Sequence, residues 1–184
     1  VASRGLGDVY KRQGADGVFI IKGETNKIKN VLKKKIRNKA LILQPYIPGK
    51  VVSLSAIFVK NYCIPLTCNK MIVKSNKGQV SYHKIEVGGA EFLRNKMTRI
   101  ANKIHGTFNG LSGYVGIDFI EDKKNLLILE INPRLTTSYV GLEKSINLNP
   151  VQIILGQLYK NFKNTQKNKE IKLTVKKVVI DVPH

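Results

Sequence analysis

Apolar residues recur along the chain in two rhythms, one typical of strands and the other of helices. Runs of branched and aromatic residues bounded by turn formers predict strands over 18–22, 40–43, 51–60, 62–73 and 110–120. Apolar residues three and four positions apart predict helices over 26–38, 91–107 and 151–162, with another from Tyr139 onward. Residues 80–87 fit a strand or a loop, and residues 171–182 fit one or two final strands.

The helix predicted over 91–107 has one apolar side. Five of its side chains recur at helical spacing and form a single stripe, made of Phe92, Met97, Ile100, Ala101 and Ile104. A stripe of this kind is typical of a helix that buries one face against a core. We therefore expect these five side chains to be buried.

The clearest hairpin joins the strand over 110–120 to an apolar run that reaches Glu130. Successive side chains of a strand alternate between its faces, so Glu130 and Asn132 project from the same side. Pro133 cannot donate to a ladder and ends the strand, and Arg134 follows it. Two oxygen donors and a cation therefore meet at a strand end, and oxygen donors of this kind suit Mg²⁺.

The register of this hairpin decides whether a third oxygen ligand joins the pair. If the tip is a three-residue loop over 123–125, Asp118 lies directly opposite Glu130, with Cβ atoms about 4.5–5.5 Å apart. Carboxylates so placed repel each other unless a cation lies between them. Asp118, Glu130 and Asn132 would then form a hard-metal cluster on one face, whereas a slip of one residue would turn Asp118 away. The alternative is a polar cluster at a sheet edge with a surface ion pair.

Two segments near the start of the chain have both a structural and a functional interpretation. Pro45 and Pro48 forbid a helix and make residues 44–49 a stiff hinge between extended segments. Gly14 and Gly17 fit a hairpin turn, or a flexible loop that closes over phosphates through its backbone N–H groups. The residues themselves favour the hairpin.

The segment after the hairpin also leaves alternatives open. Thr136, Thr137 and Ser138 can cap the helix that follows, and a helix N-terminus also offers free N–H groups to an anion. Arg134 could contact a ligand, or it could form an internal salt bridge with Glu143.

Length and cysteine content narrow the class of protein. With 184 residues, the chain fits one domain or two small subdomains. No apolar run approaches the roughly 20 residues that span a bilayer, and no signal-peptide pattern opens the chain, so we expect no membrane partner. Cys63 and Cys68 lack zinc-ligand spacing with the three histidines, and they fit reduced thiols in the cytoplasm.

A net charge of +20 attracts polyanions, so a basic nucleic-acid-binding module without catalysis is the alternative function. The lysines are nevertheless dispersed among many asparagines, a composition that an AT-rich genome also produces. A positive field would suit an ATP or carboxylate substrate equally well. Nucleic acid is therefore the less favoured partner.

The first thirteen residues differ from the remainder of the chain. They hold two of the six arginines but no asparagine or isoleucine, and residues 3–13 resemble translated sequencing-adapter read-through. We therefore predict that residues 1–13 are a non-native leader and that the protein is an N-terminally truncated fragment.

Two motifs give the sequence a resemblance to the ATP-grasp ligases: Asp118 in Gly-Tyr-Val-Gly-Ile-Asp-Phe, and Glu-Ile-Asn-Pro-Arg over 130–134. Residues 135–142, together with Asn69 and Lys70, are most similar to the archaeal-type branch that includes tyramine–glutamate ligase. The resemblance implies an α+β fold in which two subdomains with antiparallel sheets enclose the nucleotide. Residues 14–48 would form part of the small subdomain, and residues 49–184 the C-terminal subdomain with the metal site.

The resemblance also implies a role for each motif. The metal ligands would be Asp118, Glu130 and Asn132, which would hold two Mg²⁺ ions, with Mn²⁺ as a substitute. Arg134 would contact the transferred phosphate. The residues implied to contact ATP are Gly14, Gly17, Gln44, Tyr46, Ile47, Asn69 and Lys70; for the last two a plain strand end is an equal alternative. Thr136, Thr137 and Ser138 would contact the substrate, if they do more than cap the helix.

The implied reaction forms a C–N bond through an acyl phosphate, from small-molecule carboxylic acid and amine (or thiol) substrates. Positioning and charge neutralisation dominate such phosphoryl transfer, which agrees with the lack of any Ser-His-Asp or Cys-His arrangement in the sequence. The lysine-bearing strands that family members place before the glycine-rich loop are missing, so we expect the fragment alone to be a poor enzyme. The oligomeric state stays open, with a homodimer as one alternative.

Overall fold

The computed structural model describes residues 2–3, 18–21, 30, 33, 42–59, 62–123, 125–162 and 173–182. The chain divides into two compact units, one made of residues 1–48 with 73–83 and the other of residues 49–72 with 84–184. The division into a partial small subdomain over residues 14–48 and a C-terminal subdomain over residues 49–184 stays a prediction.

Little of the first unit is described. Strand β1 (Ala2–Ser3) pairs antiparallel with β2 (Ile42–Leu43). Phe19, within the strand predicted over 18–22, forms a single antiparallel bridge with Gln79. Of the helix predicted over 26–38, only residues 30 and 33 are described, and both are helical and exposed.

Six strands form one sheet in the order β7-β6-β3-β4-β5-β8. They are β3 (Lys50–Val59), β4 (Tyr62–Asn76), β5 (Gln79–Val87), β6 (Gly113–Asp122), β7 (Asn125–Asn132) and β8 (Val178–Asp181). The strands predicted over 51–60, 62–73 and 110–120 are confirmed, with ends that shift by up to three residues. The segment that fitted strand or loop is strand β5.

One face of the sheet is covered by helix α1 (Arg94–Thr107). Met97, Ala101 and Ile104 are buried against the apolar side chains of β3 and β6, as the stripe predicts. The prediction for Phe92 is wrong, because this side chain is 73% exposed. It lies in a 3₁₀ turn over Glu91–Leu93, whose tighter winding rotates it out of line with the α-helical stripe.

The start of α1 is clamped to β4 by one ion pair. The Glu91 carboxylate accepts a hydrogen bond from the Cys68 N–H at 2.7 Å and another from the Arg94 guanidinium at 2.6 Å. Arg94 also donates to the carbonyl oxygens of Pro65 and Leu66, at 3.0 Å each. These contacts fix the helix on the face of the sheet away from Asp118.

The other face of the sheet is apolar at one end and polar at the other. At the apolar end Ile57, Val59 and Tyr114 pack against Leu142 and Ile146 of helix α2 (Leu142–Ile146). At the polar end the same alternation presents serine, asparagine, aspartate and glutamate side chains from β3, β4, β6 and β7. The candidate site lies at this polar end.

The helices after the site differ in how they begin. The helix predicted from Tyr139 starts as a 3₁₀ turn over Thr137–Gly141 and continues as α2. Helix α3 (Pro150–Phe162) is capped by Asn149, whose side-chain oxygen accepts hydrogen bonds from the N–H groups of Val151 and Gln152. Within the described ranges, no helix is both long and apolar enough to cross a membrane.

Candidate active site

The β6–β7 hairpin brings Asp118 directly opposite Glu130, although not through the predicted loop. Asp122 pairs with Asn125, so the tip has two residues and the three-residue loop predicted over 123–125 is wrong. The register then shifts between Asp118 and Phe119, which shows a bulge of one extra residue in β7. The bulge restores the register that the shorter tip would have shifted by one residue, and the pairing of Asp118 with Glu130 is confirmed.

Asp118 is the most perturbed carboxyl group of this face. Burial first, and the neighbouring Glu130 carboxylate second, raise its pKa from 3.8 to about 7, while the positive charge of Arg134 opposes that rise. The Glu130 side chain is exposed, so Asp118 is the desolvated member of the pair. A cation bound between the two carboxylates would relieve the repulsion that adds to the rise in the pKa of Asp118.

Asn132 completes an oxygen-rich group beside the two carboxylates. It is buried, pairs with Gly116 across the ladder, and its side-chain amide donates a long hydrogen bond of 3.5 Å to Asp118. Its side-chain carbonyl oxygen accepts none within the part of the chain that the structure describes. Two carboxylates and an amide oxygen fit a hard cation such as Mg²⁺ better than a softer metal.

Softer metal sites find no support in the described ranges. No three His, Cys, Asp or Glu side chains gather there as a metal site would require. Cys63 and Cys68 are free thiols on the face that α1 covers. Burial raises the pKa of Cys63 to about 11 and that of Cys68 to about 12, so both are protonated at neutral pH.

Arg134 lies at the end of the strand with its side chain exposed. Its backbone N–H donates to the carbonyl oxygen of Asn132 at 2.8 Å, and its guanidinium reaches only the carbonyl oxygen of Leu135, at 3.2 Å. The alternative salt bridge with Glu143 does not form, and Arg134 makes no ion pair with any described residue. Its remaining donors can therefore serve an anionic ligand.

A row of polar side chains continues from Asp118 into the sheet. Ser53 of β3 pairs with Asp118 of β6 on one side and with Asn69 of β4 on the other. The fully buried Asn69 side chain donates to the hydroxyls of Ser53 and Ser55, at 3.2 and 3.1 Å, and accepts from the Gly88 N–H at 3.3 Å. Alternation along β3 indicates that Ser53 and Ser55 share a face, but only strand order places them beside Asp118.

Four hydroxyl groups lie next to this row. Ser55 is 3.0 Å from Tyr114 and 3.0 Å from Ser138, while Thr136 is 3.1 Å from Tyr114 and 2.9 Å from Ser138. We call these four side chains the hydroxyl ring. Thr136 precedes the 3₁₀ turn, but its side chain makes no capping hydrogen bond. The substrate contacts predicted for Thr136, Thr137 and Ser138 stay predictions.

Asn69 and Lys70 occupy opposite faces of β4, so at most one of them can face Asp118. Asn69 pairs with Ser53 on the Asp118 face. Lys70 pairs with Val52, and its ammonium group lies 3.7 Å from the Glu86 carboxylate, which Lys177 approaches at 3.9 Å. The predicted nucleotide contact of Lys70 stays a prediction.

Five of the residues implied to contact ATP lie in the first unit, namely Gly14, Gly17, Gln44, Tyr46 and Ile47. Residues 44–48 have no regular secondary structure, as the two prolines require. Gln44 and Tyr46 are exposed, and Ile47 is half-buried. Gly14 and Gly17 lie outside the described residues.

The chain matches a known family and curated relatives. A family profile described as an ATP-grasp domain matches residues 9–138. The chain is 34% identical over 135 residues to the tyramine–L-glutamate ligase of Methanocaldococcus jannaschii, which covers 73% of this chain and 39% of that protein. The matched region therefore spans well under half the length of this relative.

Solved structures show the same fold at lower identity. The L-amino acid ligase of Bacillus licheniformis superposes with a TM-score of 0.65 at 14% identity, over 88% of this chain and 41% of that chain. The N5-carboxyaminoimidazole synthetase of Staphylococcus aureus, solved with ADP, gives 0.65 at 15% identity, over 97% of this chain and 44% of that chain. At such identities the likeness is one of fold. The profile match, however, covers well over half of the sequence, and the chain belongs to the ATP-grasp family.

Proposed function

We propose that this chain carries the nucleotide- and metal-binding part of an ATP-dependent ligase that joins a small carboxylic acid to an amine. One observation supports this most strongly. Asp118 and Glu130 face each other beside the Asn132 amide at the end of a strand, and Arg134 follows without an ion-pair partner among the described residues. The tyramine–L-glutamate ligase relative bears a name that fits this reaction class.

In this proposal Asp118, Glu130 and Asn132 supply the oxygen atoms that hold Mg²⁺. When bound, Mg²⁺ supplies charge neutralisation at the phosphates of ATP. Arg134 offers its guanidinium donors to the transferred phosphate, in the planar arrangement that suits a phosphate group.

The proposed chemistry has two steps. An oxygen of the substrate carboxylate attacks the γ-phosphorus of ATP, and the bond to ADP breaks, which leaves an acyl phosphate. The amine then attacks the acyl carbon, phosphate leaves, and the nitrogen gives up a proton to yield the amide. Neither step requires a protein nucleophile, so the side chains act by holding charge and geometry.

Nucleotide binding tests this proposal directly. We expect Mg²⁺-dependent ATP binding by the wild-type chain, measured by isothermal titration calorimetry, and its loss by roughly 100-fold or more in Asp118→Asn and in Glu130→Gln. Asp122→Asn is the matched control, because it makes the same change on the same strand at the hairpin tip. Unchanged ATP affinity in either of the first two variants would refute the assignment of the site.

A further inference from the structure

The hydroxyl ring is closed, and counting protons fixes its direction. The Gly88 N–H can only donate, so Asn69 turns its carbonyl oxygen to Gly88 and its amide nitrogen to Ser55. Ser55 accepts from Asn69 and from Tyr114, which occupies both lone pairs of its oxygen. Its own proton must therefore point to Ser138.

The same count settles the other two bonds. The Tyr114 proton is already directed at Ser55, so Thr136 must donate to Tyr114. That uses the only proton of Thr136, and Ser138 must donate to Thr136. Every hydroxyl in the ring gives one hydrogen bond and receives at least one. Removal of any member would break both of its bonds in the ring and leave the hydroxyl proton of one neighbour without an acceptor, and the bonds of such a chain support one another.

Residues 132–136 form an arch over Gly116, with Arg134 in its middle. Asn132, the first residue of the arch, is the cross-strand partner of Gly116. Thr136, the last residue, packs on the same glycine, so closely that a Cβ atom on Gly116 would lie 2.5 Å from the Thr136 methyl group. Only residues 133–135 separate these two contacts. The position of Arg134 therefore depends on how Thr136 is held. The hydroxyl ring fixes the Thr136 side chain, while its carbonyl oxygen accepts a hydrogen bond from the Tyr139 N–H at 2.9 Å.

We propose that the hydroxyl ring positions Arg134, and that Tyr114 and Ser55 are positioning residues for its contact with the terminal phosphate of ATP. The inference rests on the proposed function, since it assigns that contact to Arg134. Tyr114 and Ser55 carry no charge and are not among the predicted ligands. Tyr114 and Ser55 act from strands β6 and β3 on a loop that follows β7.

The test compares ATP with ADP, which lacks the terminal phosphate. We define the discrimination as the ratio of the Kd for ADP to the Kd for ATP, both measured calorimetrically in saturating Mg²⁺. Arg134→Gln should lower this ratio at least as much as any change in the hydroxyl ring, because it removes the guanidinium itself. Tyr114→Phe should lower the ratio by roughly 3- to 10-fold and change the ADP affinity by less than about twofold, because the loop moves while the metal ligands stay in place.

Tyr139→Phe is the matched control. The Tyr139 ring packs edge-on against Tyr114 at 5.7 Å, and its hydroxyl makes no hydrogen bond to a described residue. It should leave the ratio unchanged. A double variant adds a second test: Tyr114→Phe should have no further effect on the ratio once Arg134 is replaced, because its influence passes through that side chain.

The outcomes separate the inference from the proposed function. If the wild-type chain binds neither nucleotide, the proposed function fails. If it discriminates through Arg134 but Tyr114→Phe keeps the full ratio, or weakens ATP and ADP equally, the positioning role is refuted and the function stands. A wild-type ratio of one would remove the role of Arg134 and this inference together. Ser55→Ala gives an independent reading of the same ring should Tyr114→Phe fail to fold.

Discussion

Asp118 shows how one residue can link the stability of this chain to its proposed function. Its carboxyl group is desolvated and faces Glu130, so the folded state favours the protonated form up to about pH 7. In the unfolded chain the same group ionises near its ordinary pKa of 3.8. Carboxylates placed to bind a cation are expected to lower the stability of the folded chain when no cation is bound.

The raised pKa of Asp118 makes the stability of the chain depend on pH. Between about pH 4 and pH 7 the folded state holds a proton on Asp118 that the unfolded state has lost. The stability that this group contributes therefore falls as the pH rises through that window. Asp118→Asn should remove this dependence. Relative to the wild type, the unfolding free energy of Asp118→Asn should therefore increase by about 1–3 kcal/mol between pH 5 and pH 8.

Urea unfolding at the two pH values, without divalent ions, measures this difference. Asp122→Asn is the control, and its difference from the wild type should stay nearly constant. A wild type and an Asp118→Asn variant with parallel pH profiles would contradict the raised pKa of Asp118.

At the scale of elements, β6 is the strand on which the site depends. It pairs with β3 on one side and β7 on the other, so Gly116 lies between Ser55 and Asn132. Thr136 crosses over Gly116 because no side chain stands there. The glycine is therefore explained by a close approach, and not by an unusual backbone angle.

Gly116→Ala is predicted to push Thr136 away from the strand. The added methyl group meets the Thr136 side chain at 2.5 Å, so we expect a loss of about 1–3 kcal/mol in unfolding free energy, together with weaker ATP discrimination. Gly106→Ala provides the contrast. It lies in α1 with nothing within 4 Å of the added atom, and should stabilise the chain by up to about 1 kcal/mol.

Thermal and urea unfolding of the two glycine variants measure these opposite signs. Equal stability of Gly116→Ala and the wild type would show that the arch over β6 moves easily, and would weaken the positioning role of the hydroxyl ring.

Across the whole molecule the dominant property is a net charge of +20. Such a charge attracts nucleic acid without any built site, and that attraction falls steeply with salt. Nucleotide binding at Asp118 and Glu130 would instead depend on Mg²⁺ and on those two carboxylates. The two kinds of binding can therefore be separated in one preparation.

We predict that any binding of a DNA duplex weakens by roughly 100-fold or more between about 50 and 200 mM salt, and that Asp118→Asn leaves it unchanged. Fluorescence anisotropy of a labelled duplex measures it. ATP binding should show the reverse pattern, with a weak dependence on salt and a strong dependence on Asp118. Salt-resistant DNA binding would favour the nucleic-acid alternative.

The sequence by itself determined the features that depend on local geometry. Alternation along β7 is enough to place Glu130 and Asn132 on one face, and Pro133 is enough to end the strand. Two motifs on this hairpin were enough to indicate the ATP-grasp family. These conclusions need only the neighbours of each residue in the chain, so they hold although the predicted strand ends differ from the observed ones by up to three residues.

Only the tertiary structure decided which distant residues meet. The pairing of Asp118 with Glu130 depends on a two-residue hairpin tip together with a bulge, and no local sequence pattern predicts that combination. Ser55 and Ser138 are 83 residues apart, and they meet because β3 lies beside β6 and the chain after β7 folds back over Gly116. Strand order and register are set by the burial of the whole sheet, which residue spacing along one segment does not encode.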